Sequence, residues 1–239
     1  IFISPEDDEL RDIWDDKDSI GADLFPSDFI IRLFRPNNYD GQKHFYSHDI
    51  AELEHNPSPK HPTRIIKDNE KMLKMKHKMK DAVKIKRLSP SLKEAILYFL
   101  LACAIRRARG SKNVHKSMLI NVSPFILVQD RINELVVEFL DEIKSSITSF
   151  YMLDTEEWSD YVIMAKLKET FETLFDVKES LEDIKAELQT VCDKLKTNIS
   201  NFGNKKDSRL NYDAYEDTGL YVIAIGGYKL SRGLTLEGL

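Results

Sequence analysis

The sequence has few cysteines, no hydrophobic run of membrane-spanning length and no phosphate-binding loop of the form G-x-x-x-x-G-K-[ST]. Its two cysteines, Cys103 and Cys192, lie in predicted helices and match neither a metal-binding nor a disulfide spacing. No stretch approaches the roughly 18 to 20 apolar residues of a membrane span, and the acidic N-terminus is unlike a signal peptide. These absences predict a cytoplasmic protein with buried, reduced thiols and no membrane partner. Without that loop, the chain cannot cradle a triphosphate in this way.

Charge is distributed unevenly along the 239 residues, whose net charge is −5. Residues 1–59 hold 5 basic and 14 acidic residues, residues 60–116 hold 17 and 4, and residues 117–239 hold 13 and 22. The basic middle segment indicates a surface that faces nucleic acid. Two other readings stay open, which are neutralisation by the acidic segments of the same chain and simple solvation.

The first 62 residues form an acidic, loop-rich segment. Residues 5–28 predict a loop with one short helix, 29–34 a strand, 36–41 a turn and 56–62 a loop. The Lys/Met segment 71–80 follows, and its methionines at 72, 75 and 79 have helical spacing. We expect a basic helix with one apolar face here; a mobile basic loop near DNA is the alternative.

The next region, 63–147, predicts the first strand–helix unit of an α/β domain. A capping-box pattern from Ser91 to Glu94 opens a helix that is apolar on nearly all faces and ends at Gly110. Residues 117–122 predict a short buried strand. The Ser123-Pro124 turn then predicts the start of a long amphipathic helix, with Ser123 as its cap.

Two further helices are predicted at about 156–175 and 177–200, within the region 148–215. The second carries apolar residues at 4,3,4,3,4 spacing, from Val177 to Leu195, which is a heptad seam. We expect this seam to pair with the preceding helix in a protruding helical hairpin rather than to form a dimer. The final region, 216–239, contains an apolar strand at 221–225 that stops at Gly226-Gly227, where an α/β sheet lets backbone approach a ligand.

Three blocks of sequence resemble the Z-one (Z1) domain, which occurs in proteins labelled as endonucleases together with superfamily-two helicase motifs. The blocks are 220–239, which includes the Arg232-Gly233 step, 88–110 and 115–123, and the resemblance covers roughly 85–145 and 218–239. It implies a RecA-like parallel sheet covered by helices, with a helical hairpin insertion. It also implies a DNA-linked ATPase in restriction or phage defence, of which this chain would be the second motor lobe and a fragment.

The resemblance also implies two sets of site residues. Nucleic-acid phosphates would contact Arg106, Arg107, Arg109, His115, Asn121 and Ser123. Nucleotide or the cleft between two motor lobes would contact Lys229, Ser231, Arg232, Gly233, Thr235 and Glu237. Helicases of this superfamily usually carry an acidic residue at the position of Thr235. As structure alone, the arginines are the cations favoured at a helix C-terminus, and Asn121 and Ser123 are a strand end and a cap.

The isolated chain is therefore expected to be inactive and to carry no cofactor, whereas its parent would use ATP and Mg²⁺. Expected partners are DNA, a first motor lobe in the same parent chain and subunits of a restriction system. One alternative is a metal-dependent nuclease, for which the triplets at 142–144, 176–178 and 183–185 and the pair His44 and His48 are weak candidates. The other alternative is a non-catalytic interaction module of a defence complex.

Overall fold

A three-stranded parallel sheet lies at the centre of the computed structural model, which describes residues 63–199, 210–227 and 236–238. Strands β1 (Lys116–Asn121), β2 (Leu195–Ile199) and β3 (Tyr221–Gly226) lie in the order β1-β3-β2, and both outer strands run parallel to β3. All six residues of β3 are buried, as expected for an apolar strand covered on both faces. The predicted α/β fold and its two parallel strands are therefore confirmed.

The described residues belong to one compact unit that spans 48–239. Several predictions lie outside the described residues: the loop and helix at 5–28, the strand at 29–34, the turn at 36–41, the loop at 56–62 and the His44–His48 pair.

Five α-helices occur in the described part of the chain. They are α1 (Asn69–Met72), α2 (Pro90–Ala108), α3 (Ile126–Phe150), α4 (Val162–Leu174) and α5 (Leu181–Lys194), and 3-10 helices span Met79–Lys84, Glu157–Asp160 and Asp213–Tyr215. Helix α3 packs on β2 and β3, and α2 packs on α4 and α5. One face of β3 joins this main core, whereas Val222 on the other face packs with Tyr212 and Leu220.

Helix α2 begins at a different cap from the one predicted. The Ser89 hydroxyl accepts from the backbone N–H of Leu92 at 3.3 Å, and Pro90 occupies the first turn, where its missing N–H costs nothing. Ser91 instead donates to the Asp68 carboxylate from its backbone N–H at 2.8 Å and from its hydroxyl at 2.5 Å. The Ser91–Glu94 capping box is therefore wrong. The predicted stop at Gly110 is confirmed, and that glycine has φ +93°.

Helix α3 also begins later than predicted, at Ile126, after Phe125 at the N-cap position. Ser123 is not its cap. The Ser123 hydroxyl accepts from the backbone N–H of Phe125 at 3.1 Å and so closes the turn that precedes the helix.

The Lys/Met segment does not form the single amphipathic helix that its spacing predicts. Helix α1 is four residues long, and only Met72 of the three methionines packs against the main core. Met75 is 85% exposed and Met79 is 51% exposed. Many lysines and few apolar residues give this stretch too little buried surface to hold a longer helix. The alternative hypothesis of a basic loop therefore describes the backbone of this segment better. Contact between the segment and DNA stays a prediction.

The heptad seam belongs to the common core rather than to a protruding hairpin. Leu181, Ile184, Leu188 and Val191 are buried there, and both α4 and α5 pack mainly on α2 and α3 instead of on each other. Because α2 is apolar around most of its circumference, it can accept more than one neighbouring helix. The predicted hairpin pairing is wrong, and residues 195–199 form β2 rather than the end of a helix.

We predict that Leu188→Ala lowers the free energy of unfolding by about 2–5 kcal/mol, because Leu188 is fully buried and its truncation leaves a cavity. Urea unfolding followed by circular dichroism measures the change. Val162→Ala is the matched control, since Val162 is 74% exposed and its truncation should cost no more than about 0.5 kcal/mol. Equally small effects in both variants would show that the seam is not buried.

Candidate nucleic-acid interface

The carboxyl ends of β1 and β3 meet at Asn121 and Gly226, which are partners in the strand register. The next residue, Gly227, lies against the turn after β1. A Cβ atom at Gly227 would lie 2.5 Å from the Ser123 carbonyl oxygen and 2.8 Å from Nε2 of Gln129, so only glycine allows this approach. Gln129 is buried and donates from Nε2 to the same carbonyl at 2.7 Å. Gly227 and the turn after β1 are therefore in direct contact at the edge where α/β sheets bind ligands.

His77 ties the basic segment to this edge. Its Nε2 lies 2.7 Å from the Ser123 hydroxyl oxygen, and its Nδ1 lies 2.9 Å from the Lys74 carbonyl oxygen. Since a carbonyl can only accept, Nδ1 carries the proton in the neutral ring, and Nε2 accepts from the Ser123 hydroxyl. The His77 ring also packs edge-to-face on Phe125, with ring centroids 5.7 Å apart.

The segment that His77 holds in place is strongly basic. Residues 63–87 contain ten basic and three acidic residues. Two of the three acids have local partners, because Asp68 binds Ser91 and Asp81 accepts from Lys84 Nζ at 2.7 Å. Exposed lysines of the segment make no ion pair with any other described residue; they are Lys71, Lys74, Lys76 and Lys80. Positive charge is thus left available beside the carboxyl edge.

A cleft of about 580 Å³ opens between this segment and the end of β1. Polar side chains from both sides line it, including Lys67, Lys74, His77 and Asn121, and Glu70 is the acidic residue among them. Apolar side chains line it as well: Ile66, Met72, Leu73, Met75 and Val122. The cleft therefore offers cationic and apolar contacts side by side.

Arg107, predicted to contact phosphate, is instead part of a buried network at the amino end of the sheet. It donates from Nε to Glu187 at 2.6 Å, and from Nη1 to the Tyr221 hydroxyl at 3.1 Å and to the Lys112 carbonyl at 3.2 Å. Burial opposes its charge, but the hydrogen bonds to Tyr221 and Glu187 outweigh this and raise the pKa of Arg107. Lys116 is 1% exposed and donates to the same Tyr221 hydroxyl at 2.9 Å. Arg107 therefore has a structural role.

Arg109 and Arg106, the other two predicted phosphate contacts, differ in whether they form an ion pair. Arg109 forms a bidentate pair with Glu179, from Nε at 2.8 Å and from Nη2 at 2.7 Å. That hydrogen-bonded pair lowers the pKa of Glu179 to about 2. Arg106 is exposed and makes no ion pair with another residue that the structure describes.

His115 and Glu237 meet at the amino end of β1. The His115 Nδ1 accepts from the backbone N–H of Leu220 at 2.9 Å, so the proton of the neutral ring lies on Nε2, which is 3.6 Å from a Glu237 carboxylate oxygen. Gly238 lies beside β1, because its carbonyl accepts from the backbone N–H of Ser117 at 3.1 Å. Glu237 is thus at the end of the sheet opposite to Gly227.

The structure therefore separates the predicted nucleic-acid residues into two groups. The arginines and His115 lie toward the amino end of β1, whereas Asn121 and Ser123 lie at its carboxyl end, roughly 17 Å away for a strand of this length. Asn121 is exposed and Ser123 is 4% exposed. The predicted nucleotide or interlobe residues Lys229, Ser231, Arg232, Gly233 and Thr235 lie outside the described residues.

The nuclease triplets do not assemble into a metal site. Asp183 accepts from the backbone N–H and the hydroxyl of Ser180, which is the N-cap of α5, and Lys144 pairs with Asp193 at 3.0 Å. Among residues 63–199, 210–227 and 236–238, no three His, Cys, Asp or Glu side chains lie close enough together to hold a metal ion. Burial raises the pKa of both Cys103 and Cys192 to about 12, so these thiols stay protonated at neutral pH.

Sequence reasoning missed His77 and the lysines near it as site residues. The basic middle segment and the Lys/Met segment 71–80 were the available signal, and they predicted a basic surface near nucleic acid without identifying its residues. What it could not show is that His77 binds Ser123, a residue 46 positions further along the chain.

We predict that Arg109→Gln changes the acid sensitivity of the fold. The pKa of Glu179 is about 2 in the folded chain against an ordinary value of 4.5. Its stabilising contribution is therefore complete above pH 4.5 and is lost as the pH falls toward about 2. Without Arg109 this pKa returns toward 4.5, so the unfolding free energy of the variant should decline less between pH 4.5 and 2. Urea unfolding at a series of pH values tests this.

Arg106→Gln is the control, because Arg106 has no carboxylate partner in the described part of the chain and its pH profile should run parallel to that of the original sequence. A profile for Arg109→Gln that also ran parallel would disprove the coupling.

Comparison with known proteins gives one family match. The family model described as the Z1 domain matches residues 91–239, which is more than half of the chain and includes α4 and α5. No curated protein and no solved structure matches the chain. Within the described residues, no helix combines the length and the apolar character that crossing a membrane requires.

Proposed function

The chain belongs to the Z1 domain family, and from this we propose that it forms the helicase-like, RecA-like second motor lobe of a DNA-dependent ATPase. The proposed setting is restriction or phage defence in the cytoplasm. DNA, a first motor lobe and subunits of a restriction system are the proposed partners. One observation carries the proposal: Gly227, the residue that follows β3, packs closely against Ser123 in the turn that follows β1, at the carboxyl edge of the sheet. Because a side chain would not fit between them, a shift of the turn after β1 would press on the backbone at Gly227, and this contact is the proposed route of coupling.

The residues at this edge would have two roles: some would contact a phosphate, and others would hold the turn after β1 in its conformation. Asn121 is exposed and would contact a phosphate, whereas the Ser123 hydroxyl already serves His77 and Phe125 and would hold the turn in shape. Beyond Gly227, the terminal loop would face the cleft between the lobes. Its proposed contact residues are Lys229, Ser231, Arg232, Gly233 and Thr235.

The chain would supply only part of an ATPase site. P-loop ATPases bind the triphosphate of ATP and its Mg²⁺ through a loop of the form G-x-x-x-x-G-K-[ST], and the sequence does not contain this pattern. The described residues also offer no carboxylate cluster for Mg²⁺. The first lobe would therefore bind the nucleotide, and this chain would couple its state to the grip on DNA. By the same observation we do not propose a metal-dependent nuclease in this chain.

We predict that Arg232→Ala and Gly233→Val, each made in the protein that contains both lobes, reduce DNA stimulation of ATP hydrolysis. A valine at 233 would block the approach of backbone amides to phosphate, and alanine at 232 would remove the brace of the loop. Loss of a coupling free energy of this kind corresponds to about 5- to 150-fold. Steady-state ATPase assays with and without DNA measure the ratio.

Met152→Ala is the control, because Met152 is 76% exposed and lies in the chain between α3 and α4. Its DNA stimulation should equal that of the original protein. Full stimulation in both loop variants would contradict the motor-lobe assignment and would favour an interaction module.

A further inference from the structure

The cleft between the basic segment and β1 combines cationic and apolar side chains. Lys74 and Asn121 line it, and Lys74 makes no ion pair with another described residue. Met75 and Ile66 also line it, although they are 85% and 46% exposed. A ligand that satisfies both sets of side chains must be anionic and must also present apolar surface.

We infer that this cleft binds single-stranded nucleic acid. Lys74 and the adjacent, exposed Lys76 contact phosphates, and Met75 and Ile66 contact the faces of unstacked bases. The inference rests on the proposed function and adds to it the class of substrate and the side chains that recognise it.

Single strands fit this cleft better than duplex DNA for a physical reason. A duplex hides the faces of its bases in the stack, so it would use the lysines but would leave Met75 and Ile66 in water. A single strand exposes a flat apolar face at every base, and proteins that bind such strands combine a cationic groove with aromatic side chains on which the bases stack. In this cleft the aliphatic side chains of Met75 and Ile66 would cover the base faces by van der Waals contact instead. An inorganic polyphosphate, in contrast, offers the charge alone.

The location of the cleft connects it to the strand-end loops. His77 both lines the cleft and binds Ser123, and Ser123 lies against Gly227. A strand in the cleft would therefore lie within one side chain of the turn that follows β1. This places the bound strand where the proposed coupling between the two loops can sense it.

The experiment measures binding of the 239-residue chain to a fluorescent oligothymidine of about 12 nucleotides, a length that suits one binding groove. An abasic oligomer of the same length, a duplex and inorganic polyphosphate serve as comparison ligands. We expect the oligothymidine to bind most tightly, with an affinity that falls steeply with salt. Lys74→Gln/Lys76→Gln should weaken binding and reduce the slope of log affinity against log salt by about 0.7 for each phosphate that the variant no longer neutralises.

Met75→Ser separates base contact from charge. It should weaken binding of oligothymidine about 3- to 10-fold and leave binding of the abasic oligomer unchanged, because that oligomer has no base for Met75 to cover. Met75→Leu keeps an apolar side chain and should keep the affinity. Since all three residues are exposed, every variant should unfold at the original urea midpoint.

The matched charge control is Arg106→Gln/Arg109→Gln, which removes the same number of cations from the amino end of the sheet. It should keep most of the affinity. Loss of binding in this variant, with full binding in Lys74→Gln/Lys76→Gln, would place the nucleic acid at the amino end and overturn the inference. Tighter binding of duplex, or an equal effect of Met75→Ser on both single strands, would also overturn it.

The assay contains neither ATP nor a first lobe. Failure here would therefore leave the ATPase test of Arg232 and Gly233 intact, and failure of that test would leave single-strand binding intact.

Discussion

The burial of β3 on both faces is the constraint on which the rest of the structure depends. All six of its residues are inaccessible, so the middle of the sheet has no room for a polar side chain that lacks a partner. Polar chemistry is therefore confined to the two ends of the strands. At the amino end, the Tyr221 hydroxyl accepts from Arg107 and Lys116 and donates to the Lys112 carbonyl. At the carboxyl end, β3 stops at Gly226, and the neighbouring strand β1 ends in the exposed Asn121.

The two ends use their cations differently. Arg107 and Lys116 are buried, and a buried charge is tolerated only when its donors find acceptors. Glu187, Tyr221 and backbone carbonyls provide those acceptors. Removing Arg107 would therefore disturb the fold as well as any contact with DNA. Lysines beside the carboxyl end remain exposed and without ion pairs among the described residues, so they can exchange water and counterions for phosphate at little cost.

Four elements, β1, β3, α2 and α3, could be predicted from the residues within them. The apolar runs of β1 and β3, each followed by turn residues, the apolar run of α2 that stops at Gly110 and the periodicity of α3 were sufficient to predict them. The strand β2 was missed because Leu195 continues the heptad of α5, and residues 196–198 are polar. Its extended form depends on pairing with β3, as in Leu195 with Tyr221, which is a partner distant in sequence. The glycine pair correctly predicted where β3 ends, whereas ligand binding at that edge stays a prediction. The side-chain hydrogen-bond partners of Arg107 and His77 lie 46 to 114 residues away, so no spacing rule could reveal which cations already have a partner.

An acidic protein can still present a basic site, because charges act over a limited distance. Salt at physiological strength screens exposed charges beyond about 8 Å, so the net charge of −5 does not cancel ten basic residues concentrated within residues 63–87. The acidic remainder has a separate consequence. A negative net charge opposes non-specific binding of polyanions, which is driven by phosphate contacts alone. The proposed cleft could distinguish single strands from other polyanions, because it adds apolar contacts to charge. Met75 beside Lys74 provides that combination.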